Sequence, residues 1–472
     1  MEGRKGQHSM KNMTISNIAA ACGGTLYLPA GYELMPEQEA ACVVIDSRKL
    51  IPGGVFIATK GERVDGHQFI TQVFEKGALA VVCEKLPEAE PSKLPGPCIV
   101  VEDSFAALTK LAAFYRETLS LPIVGITGSV GKTSTKEFIA GVLSAKYRVF
   151  KTEGNFNNEI GVPLMLLSIR PEHEVAVLEM GINHFGEMHR LSQMAKPDIC
   201  VMTNVGQCHL EFLGTRDGIL KAKSEIFDYA NPDAYVVVNG DDDKLCTLRV
   251  KDTMTLTHFG LDKTNEVYAD QIQMRGLLGS TMQVHTPDLS FALAINLPGR
   301  HQVYNALAAA CVALHLGLTP QEIEAGARSV QAVGGRGRVI ETDQYVILDD
   351  CYNANPVSMK AAIDLMCQTD GRKVAILGDM FELGEEELAL HEQIGTYCVQ
   401  KGIDVLLCAG IRSEHMAKAA LMALSPKRIE VHHYVTREEL QQELADLLQP
   451  GDTILIKASH GMQFEQLVKE LC

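Results

Sequence analysis

The chain has 472 residues, which is enough for about three domains of ordinary size with substantial hydrophobic cores. Its 59 Asp and Glu outnumber its 43 Lys and Arg, and the net charge of −16 disfavours a general binder of nucleic acids or anionic membranes. The 13 cysteines form no C-x-x-C pair and no apolar run reaches membrane-spanning length, so we expect a cytoplasmic chain with reduced thiols and no integral membrane segment. We also expect a monomer. Residues 1–9 lack the apolar core of a signal peptide, and we interpret them as a leader or a cloning remnant.

The first part of the chain, residues 1–103, contains short strand-like segments separated by glycine turns. These segments are residues 41–45, 55–58, 78–83 and 98–101. They predict a small α/β domain.

A nucleotide phosphate loop follows an apolar strand at residues 123–126. The strand leads into a glycine-rich turn with Gly131, Lys132 and Thr133, and then into a helical segment. In such a loop the backbone N–H groups converge on phosphate oxygens at a helix N-terminus. Lys132 would reach the β- and γ-phosphates, and Thr133 would hold Mg²⁺. Although Ile126 replaces the first glycine of the usual pattern, this context favours ATP binding over a chance glycine turn.

The remainder of the chain predicts two larger α/β domains. In residues 104–334, apolar strands alternate with helices, which predicts a mostly parallel sheet covered by helices. Its strands are predicted at residues 123–126, 175–178, 199–203 and 235–238, and an alanine-rich helix at 303–316 closes it. Residues 335–472 predict a doubly wound unit of dinucleotide-fold type, without the glycine motif of a dinucleotide site. Its strands are predicted at residues 346–348, 374–377, 405–408, 429–433 and 453–456.

Polar residues follow two of the central strands. Glu179 ends the strand at residues 175–178, at the edge where open α/β sheets bind ligands. His209 lies in the loop after the next strand, and Lys223 lies in a later helical segment. Taken alone, His209 could be a structural histidine and Lys223 a solvated lysine. Behind a phosphate loop, Glu179 and His209 fit a Mg²⁺ site, where an ordinary ammonium group at Lys223 would be repelled.

Two further segments are candidates for ligand contacts. Residues 349–356 end a predicted strand with Arg336 just upstream, and this loop could close over bound ATP. The alternative is a capped helix start beside a surface arginine. Residues 152–163 lie between a strand and an apolar helix, and turn chemistry could explain part of their composition. Three amides so close together nevertheless favour hydrogen bonds to a ligand.

Taken together, these segments resemble the Mur ligase family of peptidoglycan precursor synthesis, over essentially the whole chain from Met10. The family's loop T-G-x-x-G-K-[T/S] matches residues 127–133 and does not require a glycine at Ile126. The resemblance implies that ATP is bound by the loop residues Thr127, Gly128, Ser129, Val130, Gly131, Lys132, Thr133 and Ser134. It also implies a site for two Mg²⁺ ions in which the lysine is carbamylated and so resembles a carboxylate. The implied metal ligands are Thr133, Glu179, His209 and Lys223.

The resemblance also implies roles around the nucleotide. Asn305 would lie near the base, Arg336 would contact phosphate and Asp350 would contact the ribose. The catalytic residues that it implies are Lys132, Glu179, His209, Lys223 and Arg336. Three positions depart from the residues common in the family, and they are Val130, Ser134 and His460.

Within the family, the motifs fit best the ligase that joins D-alanyl-D-alanine to UDP-N-acetylmuramoyl-tripeptide through an acyl phosphate. These motifs are residues 46–49, 61–67, 155–158, 352–356 and 378–384, together with His391. The implied substrate-binding residues are Ser47, Arg48, Asn155, Asn157, Asn158, Asn353 and Asn355. The UDP-sugar would bind residues 1–103, ATP would bind residues 104–334, and the dipeptide would bind residues 335–472.

Three other interpretations remain open. The sister ligase that adds the third amino acid has an arginine motif for diaminopimelate that this sequence lacks. A folylpolyglutamate-type ligase would share Lys132, Glu179 and Lys223, but the region from Asp46 to His67 fits a UDP-sugar domain better. A nucleotide-switch protein would use the same loop to change shape without joining two substrates.

Overall fold

The computed structural model describes residues 9–88, 90–424 and 428–472, so nearly all of the leader predicted at residues 1–9 lies outside the described residues. The chain forms three sheets covered by helices, which confirms the predicted α/β class with three domains. Within the part of the chain that the structure describes, no helix combines the length and apolar character that crossing a membrane requires.

The first sheet is built from short elements. They are α1 (Ile15–Cys22), β1 (Thr25–Tyr27), β2 (Val43–Val44), β3 (Val55–Ile57), α2 (Ile70–Glu75), β4 (Ala80–Cys83) and β5 (Cys98–Val100). The strand order is β1-β5-β4-β3-β2, and only β1 runs antiparallel to its neighbour. Strand β2 is shorter than the predicted residues 41–45, and beyond its C-terminal end Asp46 accepts the backbone N–H of Arg48 in a turn.

Helix α3 (Ser104–Thr118) joins the first sheet to the central one. Asp103 caps its N-terminus by accepting the N–H of Ala106. The buried face of α3 belongs to a single hydrophobic core that contains residues of both α1 and the central sheet. Tyr115 on this face is fully buried and donates to the carbonyl oxygen of Ile169 at 2.7 Å. The first and central domains are therefore packed through a common core.

The central sheet has nine strands. Its elements are β6 (Ile123–Thr127), α4 (Lys132–Leu143), β7 (Val149–Lys151), α5 (Gly161–Leu166), β8 (Val175–Glu179), α6 (Glu187–Ala195), β9 (Ile199–Met202), α7 (Leu210–Leu213), α8 (Arg216–Ser224), β10 (Tyr235–Asn239), β11 (Thr255–Gly260), β12 (Val267–Met274), β13 (Ser280–His285), β14 (Ser290–Ile295), α9 (His301–His315) and α10 (Pro320–Ser329). In the order β14-β13-β12-β11-β10-β9-β6-β8-β7, every pairing from β12 to β7 is parallel. This confirms the mostly parallel sheet and its four predicted strands.

Strand β11 and the outer strands β12, β13 and β14 were not predicted, and the pairings of β13 with β12 and with β14 are antiparallel. Buried and more exposed residues alternate along β13, so the segment lacks the continuous apolar run that reveals the central strands. Leu277, in the connection between β12 and β13, packs against the hydrophobic core of the C-terminal domain. The part of the central sheet formed by β12, β13 and β14 therefore contacts the third domain.

The third sheet lies in the C-terminal domain. Its elements are β15 (Arg338–Glu341), β16 (Val346–Asp349), α11 (Pro356–Met366), β17 (Lys373–Gly378), α12 (Glu387–Gln400), β18 (Val405–Ala409), α13 (Ser413–Met422), β19 (Glu430–Tyr434), α14 (Arg437–Leu447), β20 (Thr453–Lys457) and α15 (Glu465–Leu471). The order is β15-β16-β20-β17-β18-β19, and only β15, which was not predicted, is antiparallel. The parallel strands β16 and β20 are neighbours, so Asp350 and Lys457 meet at their C-terminal ends.

Candidate active site

A cavity of about 750 Å³ lies where the C-terminal ends of the central strands face the third sheet. Most of the predicted site residues line it. They are Ser129, Val130, Gly131, Lys132, Thr133, Ser134, Asn155, Asn157, Asn158, Glu179, His209, Asn305, Arg336, Asp350, Asn353 and Asn355. The fold thus brings together predicted residues from distant parts of two domains.

Five predicted residues do not line this cavity. Ser47 and Arg48 belong to the first sheet, and Lys223 is buried behind the cavity on α8. Thr127 and Gly128 form the base of the phosphate loop. A Cβ on Gly128 would come within 1.9 Å of the Thr203 hydroxyl, so this position requires glycine.

The phosphate loop is closed by its own lysine. Gly131 adopts a left-handed conformation at the start of α4, with a φ of 83°. Lys132 folds back, and its Nζ donates to the carbonyl oxygen of Gly128 at 2.9 Å. The amine therefore lies against the loop whose phosphate it is predicted to bind.

Glu179 is held at the end of β8 by two hydrogen bonds. The Thr133 hydroxyl donates to its Oε2 at 2.8 Å, and the Asn157 amide donates to its Oε1 at 2.9 Å. The carboxylate is only 1% exposed, so these donors replace the water that burial removes. Asn157 thus connects residues 152–163, the asparagine-rich segment, to the phosphate loop.

Asn204, which sequence reasoning did not assign to the site, clamps the phosphate loop from the end of β9. Its side-chain oxygen accepts the N–H of Val130 at 3.0 Å, and its amide donates to the Val130 carbonyl at 2.9 Å. The next residue, Val205, is fixed as well, because its N–H donates to the Asp242 side chain and its carbonyl accepts from Arg216. The Val130 N–H is therefore occupied, which leaves phosphate binding to later loop residues.

His209 and Lys223 are the two remaining predicted metal ligands. His209 is a non-glycine residue with a φ of 52°, and its Nδ1 approaches Glu382 of the third domain to 2.7 Å. Lys223 is 1% exposed, and its side-chain amine has no hydrogen-bond or ion-pair partner among the residues that the structure describes, although its backbone carbonyl accepts the N–H of Glu225. Burial lowers its pKa to about 8, and the nearby Lys132 charge adds to this effect.

These residues can hold a hard cation such as Mg²⁺ only if phosphate oxygens and water supply its remaining ligands. Within the described ranges, no three His, Cys, Asp or Glu side chains gather closely enough to hold a metal ion. Thr133 and Glu179, however, already place two oxygen ligands in contact beside the loop. Mg²⁺ commonly takes one or two carboxylates and completes its shell with water and substrate phosphates. The donor set is compatible with that arrangement.

The side chain of Asn305, which is predicted to lie near the nucleotide base, is hydrogen-bonded within the protein through both of its polar groups. It accepts from the Thr135 hydroxyl at 2.9 Å and donates to Gln302 at 2.8 Å, so it ties α9 to α4. Tyr304 also lines the cavity, and its hydroxyl donates to Asp241 at 3.0 Å. Tyr304 was not predicted, and only its place beside Asn305 could have indicated it.

Asp350 forms an ion pair with Lys457, another residue that was not predicted. The Lys457 amine is 2% exposed and donates to Asp350 Oδ2 at 2.6 Å and to the Asn353 carbonyl at 2.9 Å. A usable signal was present, because Lys457 ends an apolar strand as Glu179 does. The pair fixes the loop that was predicted to contact ribose.

Some predicted ligand residues act as caps. The Asn355 side chain accepts the N–H of Ser358 at the start of α11, which confirms the capped-helix interpretation at this position. Asn158 accepts the N–H of Gly161 at 2.8 Å at the start of α5. Turn and cap chemistry therefore accounts for these two amides, while Asn157 contacts Glu179.

The turn that carries Ser47 and Arg48 lies beside the asparagine-rich segment. Arg48 pairs with Asp46, and this contact lowers the pKa of Asp46 to about 2. The Lys49 amine lies 5.5 Å from the ring centroid of Phe156. The backbone carbonyl of Ser47 accepts from Lys76 at 3.0 Å. The first sheet therefore presents this turn towards the segment that leads to Glu179.

Residues of the motif at 378–384 make hydrogen bonds that stabilise the third domain. Buried Asp379 accepts the N–H of Ser413 at 2.7 Å at the start of α13. His391 is fully buried and accepts the N–H of Met380 at 2.9 Å. In the first domain, His67 similarly accepts the N–H of Glu84. These motif residues hold loops in place at sheet edges.

Three family models match the chain. The model described as "Mur ligase family, catalytic domain" matches residues 39–116, "Mur ligase middle domain" matches residues 126–313, and "Mur ligase, glutamate ligase domain" matches residues 335–460.

Relatives of similar length match almost end to end. The UDP-N-acetylmuramoyl-tripeptide–D-alanyl-D-alanine ligase of Bacillus subtilis is 37% identical over 465 residues, which is 98% of this chain and 99% of the relative. A crystal structure of MurF from Acinetobacter baumannii superposes with a TM-score of 0.87 at 32% identity, over 98% of this chain and 99% of that one. MurF from Thermotoga maritima in complex with ADP gives a TM-score of 0.79 at 31% identity, over 91% and 96%.

Proposed function

The chain belongs to the Mur ligase family, and from this membership we propose that it joins D-alanyl-D-alanine to UDP-N-acetylmuramoyl-tripeptide with conversion of ATP to ADP and phosphate. The observation that carries the proposal is the cavity in which the phosphate loop with Lys132 faces Arg336 and Asp350. A nucleotide bound on the loop would lie between two domains, where a second and a third substrate can reach its γ-phosphate.

The reaction has two steps. The terminal carboxylate of the tripeptide attacks the γ-phosphorus of ATP, the bond to ADP breaks, and an acyl phosphate forms. The amine of D-alanyl-D-alanine then attacks the acyl carbon, loses a proton and expels inorganic phosphate. Phosphoryl transfer depends on positioning and charge stabilisation, so it needs no protein nucleophile.

Lys132 and Arg336 supply the positive charge in this proposal. The Lys132 amine is within the loop, and the Arg336 guanidinium lines the opposite wall with no hydrogen-bond partner in the described residues. Exchange of the Gly128 carbonyl for phosphate oxygens would place Lys132 on the nucleotide. Two preorganised cations would stabilise charge that develops during transfer.

We assign Mg²⁺ binding to Thr133 and Glu179, with His209 and a carbamylated Lys223 as further candidates. Bound Mg²⁺ would neutralise phosphate charge. A lysine with a pKa of about 8 carries an appreciable neutral fraction at neutral pH, and only the neutral amine adds CO₂. The carbamate would replace a cation with an anion, which removes the charge conflict with a metal ion.

The lysine modification can be tested without turnover. We expect protein equilibrated with ¹³C-bicarbonate to give a carbamate carbon signal in NMR, and we expect Lys223→Met to lack it. The matched control is Lys136→Met, since Lys136 is equally buried but donates to the Thr152 carbonyl at 2.7 Å. The same spectrum from wild type and Lys223→Met would overturn the assignment.

We further propose that the first domain binds the uridine end of the substrate and that the C-terminal domain binds the dipeptide. Ser47 and Arg48 lie on a turn that faces the asparagine-rich segment, and Asn353 lies on the cavity wall. The first two domains share a core whereas the third has its own, so closure would move mainly the third domain. Small-angle scattering should show a smaller radius of gyration with substrates and a mass of one chain, and an unchanged radius would count against closure.

The function is tested by reconstitution. Purified protein would be mixed with ATP, Mg²⁺, D-alanyl-D-alanine and UDP-muramoyl-tripeptide, and mass spectrometry would detect the UDP-muramoyl-pentapeptide. We expect product only when all four components are present, and little from Lys132→Ala. Parallel reactions with lysine and diaminopimelate as the third residue would identify the preferred tripeptide.

The same assay separates the other interpretations. Preference for a folate acceptor would indicate the folylpolyglutamate-type reaction, and ATP turnover independent of the dipeptide would indicate a nucleotide switch. The nearly full-length likeness to the Bacillus subtilis ligase supports the dipeptide reaction over both.

A further inference from the structure

We propose that His460 is a positioning residue that holds Arg336 in place through the ring of Tyr352. The inference rests on the proposed function, in which Arg336 neutralises the transferred phosphoryl group. It concerns a residue on the third domain that does not itself line the cavity.

Arg336 is held by an aromatic contact. Its guanidinium carbon lies 3.7 Å from the ring centroid of Tyr352. The side chain forms no hydrogen bond or ion pair with any residue in the described ranges, although guanidinium groups normally find an anionic or carbonyl partner. The ring of Tyr352 is therefore the contact that determines where this cation lies.

Tyr352 in turn rests on His460. The two ring centroids lie 5.2 Å apart with an interplanar angle of 28°, which is a stacked arrangement. Arg336 and Tyr352 line the cavity whereas His460 does not, so the imidazole supports Tyr352 from outside the cavity. His460 can thus affect the reaction by fixing Tyr352.

The backbone around His460 is itself fixed. The N–H of Ser459 donates to the Asp379 carbonyl at 3.0 Å, and the Ser459 hydroxyl accepts the N–H of Phe381 at 2.9 Å. Residues His460–Met462 form a short 3-10 helix beside this contact. The imidazole is therefore presented from a rigid part of the third domain.

On the other side, the backbone of Arg336 is tied to Tyr352. The N–H of Tyr352 donates to the Gly335 carbonyl at 2.9 Å, and the N–H of Gly335 donates to buried Asp349 at 3.0 Å. The backbone contacts keep the segment in place, but the Arg336 side chain depends on the ring. Without the imidazole, the Tyr352 ring would be less restrained, and the Arg336 side chain would adopt more conformations.

The first test compares single variants. We expect His460→Ala to lower kcat about three- to tenfold, as the loss of one aromatic contact implies, with little change in KM for the UDP-substrate. His460→Phe retains a stacking ring and should restore kcat. The matched control is His415→Ala, an ion-paired histidine on the surface of the same domain, and it should behave as wild type. A change in KM alone, or no rescue by phenylalanine, would overturn the proposal.

A double-mutant cycle tests the route through Arg336. If His460 acts by placing Arg336, His460→Ala should have no further effect on kcat in an Arg336→Ala background. Independent, multiplicative losses would overturn the proposal while leaving the ligase function intact. Failure of the wild-type protein to form any pentapeptide would instead refute the proposed function, so the two failures are distinguishable. Melting temperatures of all variants would show whether a loss comes from unfolding.

Discussion

Asn204 holds both polar groups of Val130, because its side chain accepts the Val130 N–H at 3.0 Å and donates to the Val130 carbonyl at 2.9 Å. Val130, at the centre of the phosphate loop, is thus fixed by a residue that follows β9. Glycines give the loop its freedom to curl, and this contact selects one conformation. The loop that is predicted to bind phosphate is therefore held in one conformation by the protein itself.

Replacement of Asn204 should weaken ATP binding. In Asn204→Ala both hydrogen bonds to Val130 are lost, so the loop would sample other conformations, and we expect the KM for ATP to rise about tenfold. Titration calorimetry with a non-hydrolysable ATP analogue would measure the same loss. Asn17→Ala removes an exposed asparagine that bonds the Asn12 carbonyl and serves as the control. An unchanged affinity in Asn204→Ala would show that the loop does not need this clamp.

Lys132 should be essential for rate. Removal of one preorganised charge-stabilising group typically lowers kcat by a factor of roughly 10² to 10³, and we expect at least this loss for Lys132→Ala. The control is Lys146→Ala, because the Lys146 amine also donates to a glycine carbonyl, that of Gly317. Phosphate release and pentapeptide formation would be followed together. Near-normal ligation by Lys132→Ala would contradict the assigned role.

The Lys457 and Asp350 pair should stabilise the third domain as a unit. Lys457→Met would leave the Asp350 carboxylate and the Asn353 carbonyl without their buried donor. Since the Asp350 side chain is 22% exposed, we expect a loss of roughly 2 to 3 kcal/mol, below the range for a fully buried pair.

The double variant provides the control for this pair. Asp350→Asn in the Lys457→Met background removes the unpaired charge, and calorimetric unfolding should show part of the stability restored. If the double variant were no more stable than Lys457→Met, the charge of Asp350 would not be the source of the loss.

Local patterns allowed the sequence to predict much of the site. A strand followed by glycines and Lys132 predicts a phosphate loop, and Glu179 at the end of an apolar run predicts a sheet edge. Both signals arise from neighbouring residues. Most of the parallel strands were found for the same reason, since strands buried on both faces are continuously apolar, whereas β11 lacks such a run and was missed.

Contacts between distant segments could not be predicted in this way. Asn204 and Val130 are 74 positions apart, and Lys457 and Asp350 are 107 positions apart. The local sequence around each of these residues does not indicate which distant residue will contact it in the folded protein. The same limit applies to Asn305, whose amide is committed to α4 by the Thr135 hydroxyl.

His391 should make the stability of the third domain depend on pH. Its ring is fully buried, Nε2 accepts the Met380 N–H at 2.9 Å, and Nδ1 therefore carries the proton donated to the Glu387 carbonyl at 2.6 Å. Protonation would remove the acceptor, and burial disfavours the cation. Burial lowers the pKa of His391 below its ordinary value of 6.5.

The sign of the effect follows from proton binding. As pH falls from 6.5 towards the lower pKa of the buried ring, the histidine of the unfolded chain binds a proton more fully than the buried ring does, so the free energy of unfolding decreases in this window. Above it, both states are neutral and the full stability remains. Between about pH 7.5 and about pH 5.5, wild type should lose more stability than His391→Gln, which keeps a donor and an acceptor but does not titrate. Urea unfolding at the two pH values would measure this difference. An equal loss in wild type and His391→Gln would place the pH dependence elsewhere.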